Sequence, residues 1–86
     1  MNRLEVGMLA KSKAGHDKDN IYVIIQVDCS YVYLVDGSIR TLSKPKKKNK
    51  KHVQVIRNKY DLKGADDVKI KWILKQYMQG GAYVKG

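Results

Sequence analysis

The chain has 86 residues, of which 43% are hydrophobic, and it carries a formal net charge of +10. A chain of this length forms one small domain with a modest core, which leaves little room for a deep catalytic pocket. Its apolar content excludes a wholly disordered protein. Its positive charge favours an anionic partner: nucleic acid, an anionic membrane or an acidic protein.

The sequence lacks the features of secreted and membrane proteins. Its single cysteine, Cys29, excludes a disulfide within the chain and suits a reducing compartment. No apolar run approaches the roughly 18 residues that a membrane span needs, and charged residues occur early, where a signal peptide would be apolar. We therefore expect a soluble cytoplasmic protein that does not associate with membranes.

Most of the first 58 residues have the pattern of short β-strands. Alternating or β-branched apolar residues occupy five segments, at 5–12, 21–28, 31–36, 38–42 and 52–57. Cys29-Ser30 predicts a turn after the second segment, and Asp36-Gly37 predicts a hairpin turn after the third. The loops are too short for crossover helices, so the sequence predicts a mainly β fold, a small antiparallel SH3-like barrel of about five strands.

The end of the chain changes to a helical period. Asp66 and Asp67 suit a helix N-terminus, Gly80-Gly81 predict its end, and an apolar stripe lies between them at helical spacing. The stripe consists of Ile70, Ile73, Leu74 and Tyr77. We expect a barrel over residues 1–58, then a linker and a C-terminal helix within 59–86 that packs on or beside it. A strand at "VKIKW" remains an alternative, because those residues also alternate.

The aromatic residues have two interpretations. Tyr22, Tyr31 and Tyr33 lie on predicted strands, where they could stack on nucleic-acid bases or build the core; we favour the core. Trp72 lies in the predicted helix, where we expect it to pack between the helix and the barrel.

Metal and catalytic sites find little support in the sequence. Zinc requires about four matched ligands, whereas His16, Cys29 and His52 are far apart in the sequence. No paired carboxylates, P-loop or nucleophile-elbow glycines occur. We expect no catalytic residues, no metal, no cofactor and no small-molecule substrate, with a small ribonuclease using His16 or His52 as an alternative.

Positive charge is concentrated in one segment, "KPKKKNKKH" at residues 44–52. Between Gly37 and Tyr60 there are two arginines, seven lysines and no acid, which gives +9 of the total +10. The segment lies between two predicted strands, and Pro45 restricts its backbone. We therefore predict a tethered basic connection that presents its charges to phosphate groups. A second basic loop, "KSKAGHDK" at residues 11–18, is partly neutralised by acids.

Two stretches of the sequence resemble a known family. "VGMLAKSKAGHDKDNIYVIIQVD", beginning at Val6, resembles a KOW motif, with Gly15 in the position of the KOW glycine. The continuation "YVYLVDGSIRTLSKPKKKNKKHVQVI" resembles the ribosomal protein fourteen-e family of the large subunit, and most closely its short bacterial relatives, the KOW-domain RNA-binding proteins. The chain departs from the family at Asp19, where a second glycine is frequent.

The resemblance implies an SH3-like barrel that binds structured RNA, in particular ribosomal RNA, on or near the ribosome, without catalysis. The predicted RNA-binding residues are Lys11, Lys13, Gly15, His16, Lys18, Arg40, Lys44, Lys46, Lys47, Lys48, Asn49, Lys50, Lys51 and His52. The alternative is an SH3-like protein-interaction module that docks a partner on the apolar face of the helix.

Overall fold

The computed structural model describes residues 4–84, and within them the fold is mainly β with a C-terminal helix. The strands are β1 (Met8–Ser12), β2 (Ile21–Val27), β3 (Tyr31–Val35), β4 (Lys46–Asn49) and β5 (Val53–Lys59), with a 3-10 turn (Lys50–His52) before β5 and the helix α1 (Asp67–Val84) at the end. The predicted fold class is confirmed. The outer limits of the predicted domains, residues 1 and 86, lie outside the described residues.

All five strands form one antiparallel sheet in the order β4-β3-β2-β1-β5. β1 lies between β2 and β5, so that Leu9 pairs with Val23 on one side and with Ile56 on the other. This arrangement brings the first and last strands together and is compatible with the predicted SH3-like barrel. The turn predicted at Cys29-Ser30 connects β2 to β3, and the backbone N–H of Asp28 donates to the carbonyl of Tyr31 across it.

Alternation along the strands builds an apolar cluster on each face of the sheet. On β1, Ala10 joins one cluster and Leu9 the other, and both side chains are fully buried. The inner cluster contains Ala10, Tyr22, Ile24, Val32, Leu34 and Val53. The outer cluster contains Leu9, Val23, Val35, Ile70 and Ile73, with Leu74 and Tyr77 packed at its margin. The predicted helix and its apolar face are therefore confirmed, because all four stripe residues pack against the sheet.

The start of α1 is held against the loop that follows β3. The carboxylate of Asp67 accepts a hydrogen bond from the backbone N–H of Leu42 at 2.8 Å. Gly37 has a φ of +80°, and a Cβ atom there would lie 2.5 Å from the carbonyl oxygen of Asp67. Only glycine combines this backbone conformation with so close an approach.

The α1 helix continues through Gly80-Gly81 to Val84, so the predicted end was wrong. A glycine costs about 1 kcal/mol within a helix, which is not enough to end the helix.

The strand predicted at residues 38–42 was wrong. The carboxylate of Asp36 accepts hydrogen bonds from the backbone N–H groups of Ser38 and Arg40, both at 2.8 Å, and the Asp36 N–H donates to the Arg40 carbonyl. These bonds close a compact loop, so its backbone groups are not available to a neighbouring strand. The fourth strand lies further on, within the lysine segment itself.

The aromatic residues divide between core and surface. Tyr22 is buried, at 4% exposure, as predicted. The core prediction was wrong for Tyr31, which is 38% exposed because it points away from the inner cluster at the end of β3. Trp72 is 51% exposed, and the predicted packing role was wrong. Ile70 and Ile73 define the buried side of α1, and the helical rotation of about 100° per residue turns Trp72 away from it.

Two further observations concern residues 4–84. None of the helices in this part of the chain combines the length and apolar character needed to cross a membrane. Its His, Cys, Asp and Glu side chains form no cluster of three or more that could hold a metal ion.

Candidate nucleic-acid interface

The loop between β1 and β2 lies against the 3-10 turn. The backbone N–H of Lys13 donates to the carbonyl of His52 at 2.8 Å, which extends the β1–β5 pairing beyond Ser12. The base of the loop is closed by Ser12, whose N–H donates to the Asn20 carbonyl at 2.9 Å and whose carbonyl accepts from the Asp19 N–H at 2.8 Å. The two basic segments of the sequence therefore meet on one surface.

The sequence predicts a tethered connection at residues 44–52, and the structure corrects this by placing a strand, β4 (Lys46–Asn49), and the 3-10 turn (Lys50–His52) within it. β4 pairs antiparallel with β3, so that Lys48 lies opposite Val32 and Lys47 lies opposite Tyr33. Because side chains alternate across a strand, Lys46 and Lys48 point to the side of the inner cluster, whereas Lys47 and Asn49 point to the outer face.

Asp17 forms ion pairs with the two inward lysines. Its carboxylate lies 3.0 Å from Lys48 Nζ and 3.2 Å from Lys46 Nζ. It also accepts hydrogen bonds from the hydroxyl of Ser12 at 2.8 Å and from the hydroxyl of Tyr22 at 3.3 Å. With 9% exposure, Asp17 is a buried charge whose partners come from β1, β2 and β4. This cluster fixes the β1–β2 loop to the lysine strand.

The environment of Asp17 controls its ionisation. Burial alone would raise the pKa of the Asp17 carboxyl, but the hydrogen bonds from Lys48, Ser12 and Lys46 outweigh it and hold the pKa well below its usual value. Burial also raises the pKa of the Tyr22 phenol, with the nearby Asp17 charge acting in the same direction. Asp17 is thus an anion and Tyr22 a neutral donor under physiological conditions.

Several predicted residues remain exposed around the Lys13–His52 contact. We call this surface the basic end; it consists of Lys13, Gly15, His16, Lys18, Lys51 and His52. Within residues 4–84 no ion pair involves Lys13, Lys18 or Lys51. Their charges are available to a phosphate ligand.

Arg40 lines the same shallow cleft as His16 of the basic end, and this cleft has a volume of about 240 Å³. The cleft is lined by His16, Asp17, Asn20, Tyr22, Asp36, Ile39, Arg40 and Lys46. Arg40 reaches it from the Asp36 loop, which lies far from His16 in the sequence. The structure therefore brings an arginine from the β3–β4 connection to the edge of the β1–β2 loop.

The other predicted residues lie apart from the basic end or serve the fold. Lys11 is on the opposite side of β1 from Ser12 and forms an ion pair with Asp19 at 3.7 Å. Lys44 is exposed in the turn before β4, and Lys50 is half-buried, with its backbone N–H bonded to the Ser30 carbonyl. Asn49 caps the 3-10 turn, its side-chain oxygen accepting from the Lys51 N–H at 2.9 Å. RNA contact by these residues, and by Lys46 and Lys48, stays a prediction.

Two residues of the β1–β2 loop have a positive φ. Gly15 has a φ of +89°, which favours glycine, although a Cβ atom would have ordinary contacts there. Asp19 has a φ of +73° and is the only non-glycine residue with positive φ within residues 4–84. The loop thus has a glycine-type backbone conformation at a position that an aspartate occupies. Aspartate tolerates this conformation better than most residues.

Sequence reasoning missed the role of Asp17. The acid was interpreted as diluting the basic loop, whereas it is the centre of the charged cluster. One signal was present: Ser12 follows Ala10 on the inward side of β1, and a polar residue at a buried position requires a hydrogen-bond partner.

A scan against protein-family models finds no match for the chain, and a search of curated proteins finds none either.

Proposed function

We propose that this protein is a non-catalytic RNA-binding protein of the KOW type, with an SH3-like barrel, and that its ligand is structured RNA, ribosomal RNA in particular. The observation that carries the proposal is the Lys13–His52 contact, which unites two basic segments into one exposed surface. Under this proposal the protein acts in the cytoplasm, on or near the ribosome. No small molecule, cofactor or membrane takes part.

The basic end suits the backbone of a folded RNA. A-form RNA is recognised mainly by shape and by phosphate and 2′-hydroxyl contacts, because its deep major groove does not admit side chains. Lys13, Lys18 and Lys51 supply mobile point charges for phosphates, and binding releases counterions, so that affinity falls as salt rises. At Gly15, which is exposed and carries no side chain, the backbone can approach a phosphate closely.

The inward lysines have a different role in this mechanism. Lys46 and Lys48 form ion pairs with Asp17, and these ion pairs hold the β1–β2 loop in place. The net charge of the segment therefore overstates the number of lysines that contact phosphate. Arg40, which lines the cleft together with His16, provides a further donor beside the basic end.

The proposal is tested by comparing two variants that each lose three lysines, one from the basic end and one from another surface. Lys13, Lys18 and Lys51 are replaced together by Ala, and a matched control replaces Lys63, Lys71 and Lys75, which are also exposed but lie in α1 or just before it. Binding to a fluorescent RNA hairpin is measured by anisotropy over a range of salt concentrations. We expect the first variant to lose at least ten-fold in affinity, and its salt dependence to weaken by about one unit of slope per lysine.

The control variant decides between a site and a general charge effect. It should lose much less affinity, because its lysines contact no phosphate. Equal losses in the two variants would show that only net charge matters, and an unchanged affinity in the first would refute the basic end. RNA cleavage that disappears in His16→Ala or His52→Ala would replace the proposal with the ribonuclease alternative.

One observation favours the second candidate function, a protein-interaction module. Val68 and Trp72 lie one turn apart on α1 and are 73% and 51% exposed. With Lys75 on the following turn, this stripe suits an acidic amphipathic peptide. A protein that prefers such a peptide over the RNA hairpin, and loses that preference in Trp72→Ala, would have this second function.

A further inference from the structure

The outer side of β3 and β4 carries a row of aromatic, amide and cationic side chains. Strand pairing places Gln26, Tyr33 and Lys47 beside one another, and places Tyr31 beside Asn49. Residues that are direct partners in an antiparallel sheet point to the same face. These five residues form what we call the outer tyrosine face, which lies on the side of the sheet opposite the inner cluster.

This face is open where the helix does not cover it. The outer cluster beneath α1 involves Val35 of β3, at the end of the strand remote from Tyr31. Tyr31 is 38% exposed, and Gln26 and Lys47 are exposed as well. An aromatic ring with this exposure at a strand position contributes little to the core.

The rings on this face are held in place by polar contacts. Lys47 Nζ lies 4.3 Å from the centroid of the Tyr31 ring, a cation–π geometry. The hydroxyl of Tyr33 donates to the carboxylate of Asp28 at 3.2 Å. Asn49 accepts from the backbone through its side-chain oxygen, so its amide nitrogen retains donors for a ligand. The face is thus ordered before any ligand binds.

We propose that the outer tyrosine face binds an unpaired nucleotide, with its base stacked on Tyr31. Aromatic rings bind single-stranded nucleic acid by stacking on bases, and a nearby lysine neutralises the phosphate. A base that stacks on the Lys47 side of the ring displaces the ammonium, and the flexible stem of the lysine allows it to pair with a phosphate of the same strand. Gln26 and Asn49 offer amide groups to the base edge. A protein partner would require apolar area that this face lacks outside its two rings.

This inference rests on the proposed function and adds a second kind of RNA element to it. The basic end takes the backbone of a paired region, and the outer tyrosine face takes a base from an adjoining loop, bulge or single strand. The 3-10 turn connects the two surfaces. At one end of the turn, the backbone N–H of Lys50 donates to the Ser30 carbonyl; at the other end, the His52 carbonyl accepts from the backbone N–H of Lys13. An RNA stem with an unpaired extension would therefore occupy both.

The test compares a short single-stranded oligouridylate with a fully paired RNA duplex. Anisotropy gives the affinity of each probe for the original protein and for the variants Tyr31→Ala, Tyr31→Phe and Trp72→Ala. We expect Tyr31→Ala to weaken single-strand binding by about five-fold to a hundred-fold. Tyr31→Phe keeps the ring and should retain the affinity, and Trp72→Ala removes an exposed aromatic elsewhere and should have no effect. Duplex binding should be unchanged in all three.

The possible failures are distinguishable. If the protein binds the duplex but not the oligouridylate, or if Tyr31→Ala binds both probes as the original does, the outer tyrosine face is refuted and the proposed function stands. If it binds the oligouridylate through Tyr31 but not the duplex, the basic end is refuted and this inference stands. Because Tyr31 is exposed, its variants should fold, and unfolding curves check this.

Discussion

The Asp17 carboxylate and the Lys48 ammonium lie 3.0 Å apart, although 31 residues separate them in the sequence. Their side chains are only 10% and 12% exposed, and Lys46 approaches the same carboxylate. The ammonium of Lys48 also donates to the Ala14 carbonyl at 3.0 Å. A single acid thereby joins the β1–β2 loop to β4.

The first prediction concerns the loss of this acid. Asp17→Asn leaves two largely buried ammonium groups without a counter-charge, and we expect the free energy of unfolding to fall by about 2–4 kcal/mol. Urea unfolding measures the change. The control is Asp19→Asn, which removes an exposed ion pair of 3.7 Å and should cost less than about 1 kcal/mol.

A second substitution separates charge from packing at Asp17. Adding Lys48→Met to Asp17→Asn removes one uncompensated ammonium while keeping an unbranched side chain, so part of the lost stability should return. If the double variant is no more stable than Asp17→Asn, the cost lies in hydrogen bonds to the loop and not in the unpaired charges.

The second prediction concerns pH. The pKa of Asp17 is lower in the folded protein than in the unfolded chain, where an aspartate has a pKa of about 3.9. The stabilisation is therefore fully present above the unfolded value and is lost as the pH falls from about 4 towards the folded value. Unfolding curves at a series of acidic pH values should show this loss. Asp17→Asn should lack this component, and parallel profiles for the two proteins would contradict the assignment.

The third prediction concerns the contact between Gly37 and α1. In Gly37→Ala the new methyl group meets the Asp67 carbonyl at 2.5 Å and Lys71 Cγ at 2.7 Å, so the helix must shift. We expect a loss of about 3 kcal/mol or more, from the strained backbone and the displaced packing together. Gly64→Ala is a matched control, because Gly64 also has a positive φ but has open space around it. It should cost about 1–2 kcal/mol.

The fourth prediction concerns the two sides of α1. Ile73→Ala empties a fully buried position and should lower the free energy of unfolding by about 2–5 kcal/mol. Trp72→Ala changes a neighbouring side chain that is 51% exposed and should cost less than about 1 kcal/mol. Equal costs would mean that the indole packs against the sheet, as the sequence had led us to expect.

Hydrophobic periodicity predicted the parts of the fold that depend on it. β1, β2, β3 and β5 contain alternating or β-branched apolar residues, and α1 has an apolar stripe. β4 contains three lysines and an asparagine, so no periodicity marks it. Its strand conformation comes from pairing with β3 and from the carboxylate that receives its inward side chains. These are tertiary interactions, which a local pattern does not contain.

The candidate site was predictable in composition but not in geometry. The sequence shows that loops near Gly15 and Lys48 are basic, and the structure adds that Lys13 meets His52. Charge counting treated all lysines of the segment alike, because it ignores the direction in which each side chain points. Tyr31 was assigned to the core for a related reason: strand alternation reveals that Tyr31 and Tyr33 share a face, but not which face is covered.

The position of β4 has a consequence for solubility. β4 is an edge strand, because it is the first in the strand order of the sheet. An edge strand exposes backbone groups that can pair with another molecule. Natural proteins protect such edges with charged residues, lysine above all. β4 carries three lysines, and the carboxylate of Asp17 pairs with two of them. The strand and its acid partner therefore keep a net positive charge, which disfavours edge-to-edge pairing with a second copy of the same strand.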